Sequence, residues 1–423
     1  MTRALLTLLL LAPQDGAAEK AKALLRDVET GDVGRAYRAV ERLAELGEAA
    51  LPAVEAAARS ADERVRRRLA LAADEIRAAR DLKATYPPVR RFSISSADKT
   101  LAELLLALKE ASDLPLDLGE VLGEEDLPKV TVEIKDATPL EALNAICKAG
   151  SASYERYGSA IEVYVGAFED LPRFFFRHFM VSLPSYARVR EIPFGEPANE
   201  QFIVVVQGSW DPSLAAVAAP ATIAILEAAD DKGKNLLPPP REKPEEDPGD
   251  DELDYGPGED FYEELLLLPL SPNAEAISVF RGEMRLRFPK ASVSVDFEKP
   301  EAESRKESGG LAIRVAEVTS RVRRQYKVKV EITGKGLKAA DFAKKWFRAE
   351  ATIAGGRRLQ GYPSAHDEGD KMVLEFGFNE TVARFVVGAD EPPAAPIERL
   401  KLTLVSETLD RAIPFEFRDL RIK

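Results

Sequence analysis

From Ala18 to Tyr86 nearly every residue is a helix former, with breaks at Gly31-Asp32, Gly47 and Ser60-Ala61-Asp62, so the pattern predicts short helices joined by short turns. Leu43, Leu46, Ala50, Leu51 and Val54 mark one apolar face. Val65, Leu69, Ala72 and Ile76 mark the next, at three- and four-residue spacing. Past Tyr86-Pro87-Pro88 the hydrophobic period switches repeatedly. Phe92-Ser93-Ile94 predicts a short strand, Leu101 to Ser112 a helix, and Leu114 to Leu118 an extended segment. Lys129 to Ile134 alternates as a strand, and Thr138-Pro139-Leu140-Glu141 opens a helix with Thr as N-cap and Pro in the first turn. That helix runs to Lys148, with Gly150 as the residue past its end. Ala152 to Arg156 and Ala160 to Val165 pair as a hairpin across Tyr157-Gly158-Ser159, giving the order βαβ then βαββ.

Beyond Leu171-Pro172 the helical period nearly vanishes. Strands are expected at Phe174 to Ser182, Glu200 to Val206, Ala221 to Glu227, Leu265 to Leu270, Gly282 to Phe288 and Ser292 to Phe297. Others follow at Leu311 to Thr319, Gln325 to Ile332, Ala349 to Ile353, Met372 to Phe378, Ala383 to Val387, Leu400 to Val405 and Phe415 to Ile422. This number of strands suits two β-sandwiches, with a boundary near Lys299-Pro300. The fold class expected is therefore multidomain, α then α+β then all-β with Ig-like sandwiches. Its parts are a leader at 1–18, helices at 19–86, an α+β module at 89–166, and sandwiches at 172–298 and 299–423.

Two segments resemble known families. Leu46-Gly47-Glu48-Ala49-Ala50-Leu51-Pro52, followed by Asp62-Glu63-Arg64-Val65-Arg66-Arg67, resembles a HEAT repeat, with a plain helical hairpin as the alternative. One or two such units are fewer than a free-standing solenoid needs, so these helices are expected to dock on another part of the chain. The phrase Val130-Thr131-Val132-Glu133-Ile134-Lys135-Asp136-Ala137-Thr138-Pro139-Leu140-Glu141-Ala142-Leu143, with the hairpin after it, resembles the secretin and TonB-receptor N-terminal (STN, or secretin N0) domain. The resemblance covers 89–166 and implies protein or peptide contacts in a bacterial envelope, often through an exposed strand edge. Neither a secretin barrel nor a TonB plug follows, so the family's function does not carry across whole.

Charge narrows the partners. The net charge is −13, but the stretch from Arg241 to Glu264 holds twelve acidic and two basic side chains, so the remainder is close to balanced. Such a chain lacks the clustered Lys and Arg that neutralise phosphates, which argues against nucleic acid. The Pro- and acid-rich segment 236–264 reads as a disordered, solvated insert. Met1-Thr2-Arg3 leads into an apolar run from Ala4 to Pro13 and then to Gly16 and Ala18, the pattern of a secretory signal cut after Ala18 or a few residues earlier. The alternative is a frayed first helical turn. Export would place the chain in the periplasm or outside the cell, and no later segment has the length of a membrane span.

Candidate chemistry is sparse. His178 lies in an aromatic strand and His366 in a polar loop, Ser364 to Asp370, and no G-x-S-x-G occurs, so nucleophilic catalysis has no parts here. Cys147, the single cysteine, lies on an apolar helix face and reads as packing. Zinc lacks ligands, and P-loop and dinucleotide motifs are missing. Asp247, Asp250, Asp251, Glu252 and Asp254 could supply oxygens to calcium, but the EF-hand spacing is not met and a solvated loop is the simpler reading. The sequence thus points to a non-enzymatic envelope protein that binds a protein or peptide partner and needs no cofactor. The alternative is a carbohydrate- or surface-polymer-binding protein in which Trp210, Trp346 and Tyr362 stack on sugars, and the exposure of the two Trp residues discriminates between them.

Overall fold

The computed structural model describes residues 12–422 apart from 31, 83–85, 113, 125–126, 158–159, 192–198, 213, 215–221, 240–260, 322–324, 335–346, 355–357, 368–370 and 380–394. The chain carries helices at its N-terminus and a largely β-sheet body after them. It divides into two compact units, one of residues 1–288 with 410–423 and one of residues 289–409. The expected boundary near Lys299-Pro300 is thus displaced to Phe288/Pro289, and the last strand returns to the first unit. Two long strands carry the chain across this division, Ala276–Glu298 and Ile397–Arg421, where the sequence pattern had suggested two short strands each.

The first unit opens with α1 (Ala12–Val28), α2 (Val33–Glu45), a 3-10 turn at Gly47–Ala50, α3 (Leu51–Ser60) and α4 (Glu63–Asp81). The breaks work as capping sites. Asp32 accepts the Arg35 N–H at the start of α2, and Asp62 accepts the Val65 N–H at the start of α4. Ala36, Val40, Leu43, Ala50, Val54, Leu69, Ala72 and Ile76 are buried, so the apolar faces do turn inward. The polar stretch 14–18 after the apolar run is helical and continuous with α1; residues 1–11 of the expected leader lie outside the described residues.

The α+β module follows as β1 (Phe92–Thr100), α5 (Leu101–Ser112), β2 (Leu116–Asp117), the single turn α6 (Gly119–Leu122), β3 (Lys129–Ala137), α7 (Pro139–Gly150), β4 (Ala152–Tyr157) and β5 (Ala160–Val165). β1 and β3 form an antiparallel two-stranded sheet, and β2, β5 and β4 a three-stranded one with β2 parallel to β5. Thr138 and Glu141 make a reciprocal capping box on α7. The end of α7 differs from expectation: the left-handed residue is Ser151 at φ 52°, while Gly150 is still helical. Gly150 is required for packing instead, because a Cβ there would lie 2.7 Å from Leu101 Cδ1. Leu104, Leu105, Leu108, Val130, Leu143 and Ile146 fill the module's core, which extends to Met180 of the next sheet.

Four strands then build an antiparallel sheet in the order β10-β8-β7-β6: β6 (Arg173–Phe176), β7 (Phe179–Glu191), β8 (Asn199–Trp210) and β10 (Phe261–Leu267). The segment expected as one strand from Phe174 to Ser182 is broken by a two-residue turn at Arg177-His178. β10 begins at Phe261, so the end of the expected solvated insert is strand, and 240–260 lie outside the described residues. β9 (Thr222–Asp230), β11 (Ala276–Glu298) up to Phe288 and β18 (Ile397–Arg421) from Asp410 complete the unit. They face the four-stranded sheet through ring pairs such as Phe179 with Phe288 at 6.2 Å and Phe174 with Phe417 at 6.3 Å. Gly282 sits at a register shift in β11, where a Cβ would meet Phe415 Cζ at 2.5 Å and the Ala224 carbonyl at 2.7 Å. Gly282→Ala is therefore expected to cost about 1–3 kcal/mol by overpacking, read as a lower denaturation midpoint at unchanged slope.

The second unit is one antiparallel sheet in the order β12-β13-β14-β17-β16-β15-β18-β11. It is built from β12 (Arg305–Ser308), β13 (Leu311–Arg321), β14 (Gln325–Gly334), β15 (Phe347–Ile353), β16 (Arg358–Asp367) and β17 (Met372–Asn379) with the adjoining halves of β11 and β18. Residues from every strand of the row except β12, including Val295, Val315, Val328, Ala351, Phe376 and Leu402, meet in one core. A single sheet thus wraps its own core. His366 belongs to β16 opposite Val373, rather than to the loop expected there. The expected strand at Ala383 to Val387 lies outside the described residues.

Candidate functional site

The side chains singled out from the sequence are not brought together. His178 is 5% exposed, with Nε2 2.9 Å from the Pro87 carbonyl and its ring edge-on to Tyr86. His366 lies in the other unit, with its side chain outside the described ones, as are Tyr362's side chain, Trp346 and the five acidic residues from Asp247 to Asp254. Cys147 is fully buried in the module core, and burial pushes its thiol up to about 12, which keeps it protonated and unreactive at neutral pH. Trp210 is 4% exposed and covered by the Arg156 guanidinium at 4.7 Å from its ring, so its face is closed to a stacking sugar. Among the described residues, no group of three or more His, Cys, Asp or Glu is placed to hold a metal ion, and no helix is long and apolar enough to cross a membrane.

Buried charge marks where the helices dock. Glu75 on α4 is fully buried. It accepts an ion pair from Arg411 of β18, lies 3.4 Å from Arg177 Nη1, and accepts the Tyr86 hydroxyl at 3.2 Å. Arg177 and Arg411 both lie over the Tyr86 ring, at 4.6 and 5.8 Å. Burial, then the Glu75 charge, pushes the Tyr86 hydroxyl far above its usual range. The turn at Arg177 has φ 53°, a left-handed conformation that costs a non-glycine residue about 1 kcal/mol or more. It is held by the Arg177 N–H donating to Glu41 Oε1 at 2.5 Å. A second cluster joins Arg68 of α4 to Glu416 of β18 at 3.4 Å, with Tyr37 donating to the same carboxylate. Arg91 pairs with Glu41 and Glu45, and Arg42 with Asp136, tying α2 to the α+β module. Glu75, Glu416 and Glu41 each have a basic partner and little access to solvent, which suits them to fastening rather than proton transfer, while Asp136 pairs at the surface.

One open surface of the first unit is the two-stranded sheet: among the described residues β1 pairs with β3 on one side and with no other strand, and Ser93, Ser95, Ala97, Asp98 and Lys99 along it are exposed. Ala97 and Asp98 fall in a register shift between Ser96 and Lys99. Another is a groove of about 240 Å³ between the β4–β5 hairpin and the outer face of the four-stranded sheet. Its floor is set by register. Met180 lies opposite Ser209, and Ser182, Gln207 and Tyr262 stand in one row across β7, β8 and β10. The Ser182 hydroxyl donates to Gln207 Oε1 at 3.2 Å, and Gln207 Nε2 donates to the Tyr262 hydroxyl at 2.7 Å. Ser209 Oγ and Trp210 Nε1 are buried and have no hydrogen-bond partner among the described residues. No sequence signal singled out this groove, because Ser, Gln and Tyr on alternating strand positions read as an ordinary solvent face.

Neither a protein-family model, nor a curated protein, nor a solved structure matches this chain.

Proposed function

We propose that the chain is an exported, non-enzymatic interaction protein whose α+β module, an STN-like domain, holds a protein or peptide partner along the outer edge of β1, with the helices and β-sandwich layers as its scaffold. The observation that carries this reading is the nine-residue β1 strand, paired among the described residues on one side only. Such an edge presents a row of backbone donors and acceptors to another chain, and proteins with no use for one cover or shorten it. The alternation of exposed and half-buried positions along β1 offers side chains for specificity on the same strand.

The test is cross-linked capture from envelope extract with the full chain and with Ala97→Pro. Proline is tolerated at bulges, and at the register shift its ring obstructs a strand laid along β1, so the fold should persist while capture is lost. Ala97→Lys, which keeps the backbone and adds a charge at the edge, should weaken capture in the same direction. Unchanged partners for both folded variants would remove β1 as the binding element. Deleting 89–166 would not serve, because Arg42 with Asp136, and Arg91 with Glu41 and Glu45, bind this module to the helices and the rest of the unit would be disturbed.

A further inference from the structure

On the reading of β1 as a binding edge, on which this rests, we propose that the segment received there is an extended stretch of about five residues with apolar side chains at two alternate positions, seated beside Phe92 and Ile94, and uncharged polar side chains between them. Register sorts β1 into two faces. Ile94 lies opposite Ile134 and Ser96 opposite Val132, so Phe92, Ile94 and Ser96 share the side of the sheet that carries the core residues of β3. Ser95 lies opposite Glu133, and Ser93 shares its solvent side.

On the core side, burial falls off from one strand to the next. Val130, Val132 and Ile134 of β3 are 0, 9 and 6% exposed, whereas Phe92 and Ile94 are only half-buried although they pack against the same core. The apolar layer therefore continues past β3 and ends open at β1. A strand laid along the outer edge sets its alternate side chains beside Phe92 and Ile94, at the ~5 Å spacing of cross-strand pairs, and apolar groups there close the layer. The solvent side governs the intervening positions. Glu133, opposite Ser95, pairs with Lys135 at 2.6 Å, so charge on that face is balanced and a charged partner side chain gains no preference. Length follows from the register shift between Ser96 and Lys99, where the ladder is interrupted and the exposed Asp98 and Lys99 bring charge to the edge. The seat is thus Phe92 to Ser96.

The experiment is an amide NMR titration of the full chain, read at Phe92 to Ser96, with capped hexapeptides. Thr-Ile-Thr-Ile-Thr-Thr can set both isoleucines beside Phe92 and Ile94, while its isomer Thr-Ile-Ile-Thr-Thr-Thr can set only one there. The alternating peptide should bind about 2- to 5-fold more tightly than the isomer, and about 3- to 30-fold more tightly than hexathreonine. Ile94→Thr, which keeps a β-branched residue, should abolish the preference between the isomers while Phe92 to Ser96 still respond, with the melting temperature showing that the variant is folded. Equal affinity of the parent for the two isomers would overturn the proposal. So would tighter binding of hexathreonine, a preference that survives Ile94→Thr, or no response of Phe92 to Ser96 to any of the three at millimolar concentration. Failure of the edge reading shows differently, as a captured partner indifferent to Ala97→Pro and Ala97→Lys.

Discussion

Glu75→Ala is expected to lower the unfolding free energy by about 3–5 kcal/mol, among the largest effects of any single substitution in the chain. The carboxylate is fully buried on α4, between Arg411 of β18 and Arg177 of the β6–β7 turn, with the Tyr86 hydroxyl as a third donor. Removing it leaves two guanidinium groups inside the unit with like charge facing like charge. Arg411 keeps its hydrogen bond to the Asp74 carbonyl, at 2.9 Å, and its place over the Tyr86 ring, but no carboxylate among the described residues. Arg177 loses an electrostatic restraint on a backbone conformation that an arginine does not otherwise favour. Urea denaturation is the measurement. Glu75→Gln, which retains an acceptor but not the charge, should fall between the parent and Glu75→Ala. A loss under about 1 kcal/mol for Glu75→Ala would mean that the buried pairs do not fasten the helices to the sheets.

Phe288→Ala is expected to cost a comparable 3–5 kcal/mol by cavity formation. Its ring is fully buried and meets Tyr86 at 5.5 Å and Phe179 at 6.2 Å, so it sits where the helical region, β7 and β11 converge. Phe288→Leu should recover more than half of that loss, because most of the volume returns. Tyr86 touches both Phe288 and Glu75, so the double substitution with Glu75→Ala should depart from additivity by more than 0.5 kcal/mol or so. Strict additivity would indicate that the ionic and aromatic layers act as separate fastenings.

What the sequence disclosed follows from how local each determinant is. The capping residues Asp32, Asp62 and Thr138 act within three residues, and the helices they start were legible from spacing alone. The turn at Arg177-His178 was not, since no residue there favours a reversal; it is imposed by Glu41 and Glu75, which are remote in sequence. β16 was missed for a related reason. Gly361 and Pro363 speak against a strand, but a Cβ at 361 would lie 2.5 Å from Phe378 Cε1, and Pro363 falls where β16 pairs with β17 but no longer with β15. The β12–β13 hairpin carried its signal openly in Gly309-Gly310, both at positive φ, and went unread because β12 is polar and only four residues long.

Candidate sites were less legible still. Histidine, cysteine and tryptophan are the residues that attract attention in a sequence, and here His178, Cys147 and Trp210 are all packed away. The groove depends instead on Ser182, Gln207, Ser209 and Tyr262. These meet only because three strands register at one row and a hairpin lies across them. Pairing register is a tertiary quantity, and nothing within one strand encodes it.

Amide hydrogen exchange across Phe92–Thr100 tests whether β1 receives a partner strand. With the captured partner bound, exchange along β1 should slow by an order of magnitude or more, as edge N–H groups enter a ladder, while β4 and β10 keep their rates. If β1 exchanges identically with and without the partner, and protection appears on another element, the edge is not the binding surface and the assignment of the α+β module as an interaction domain is wrong.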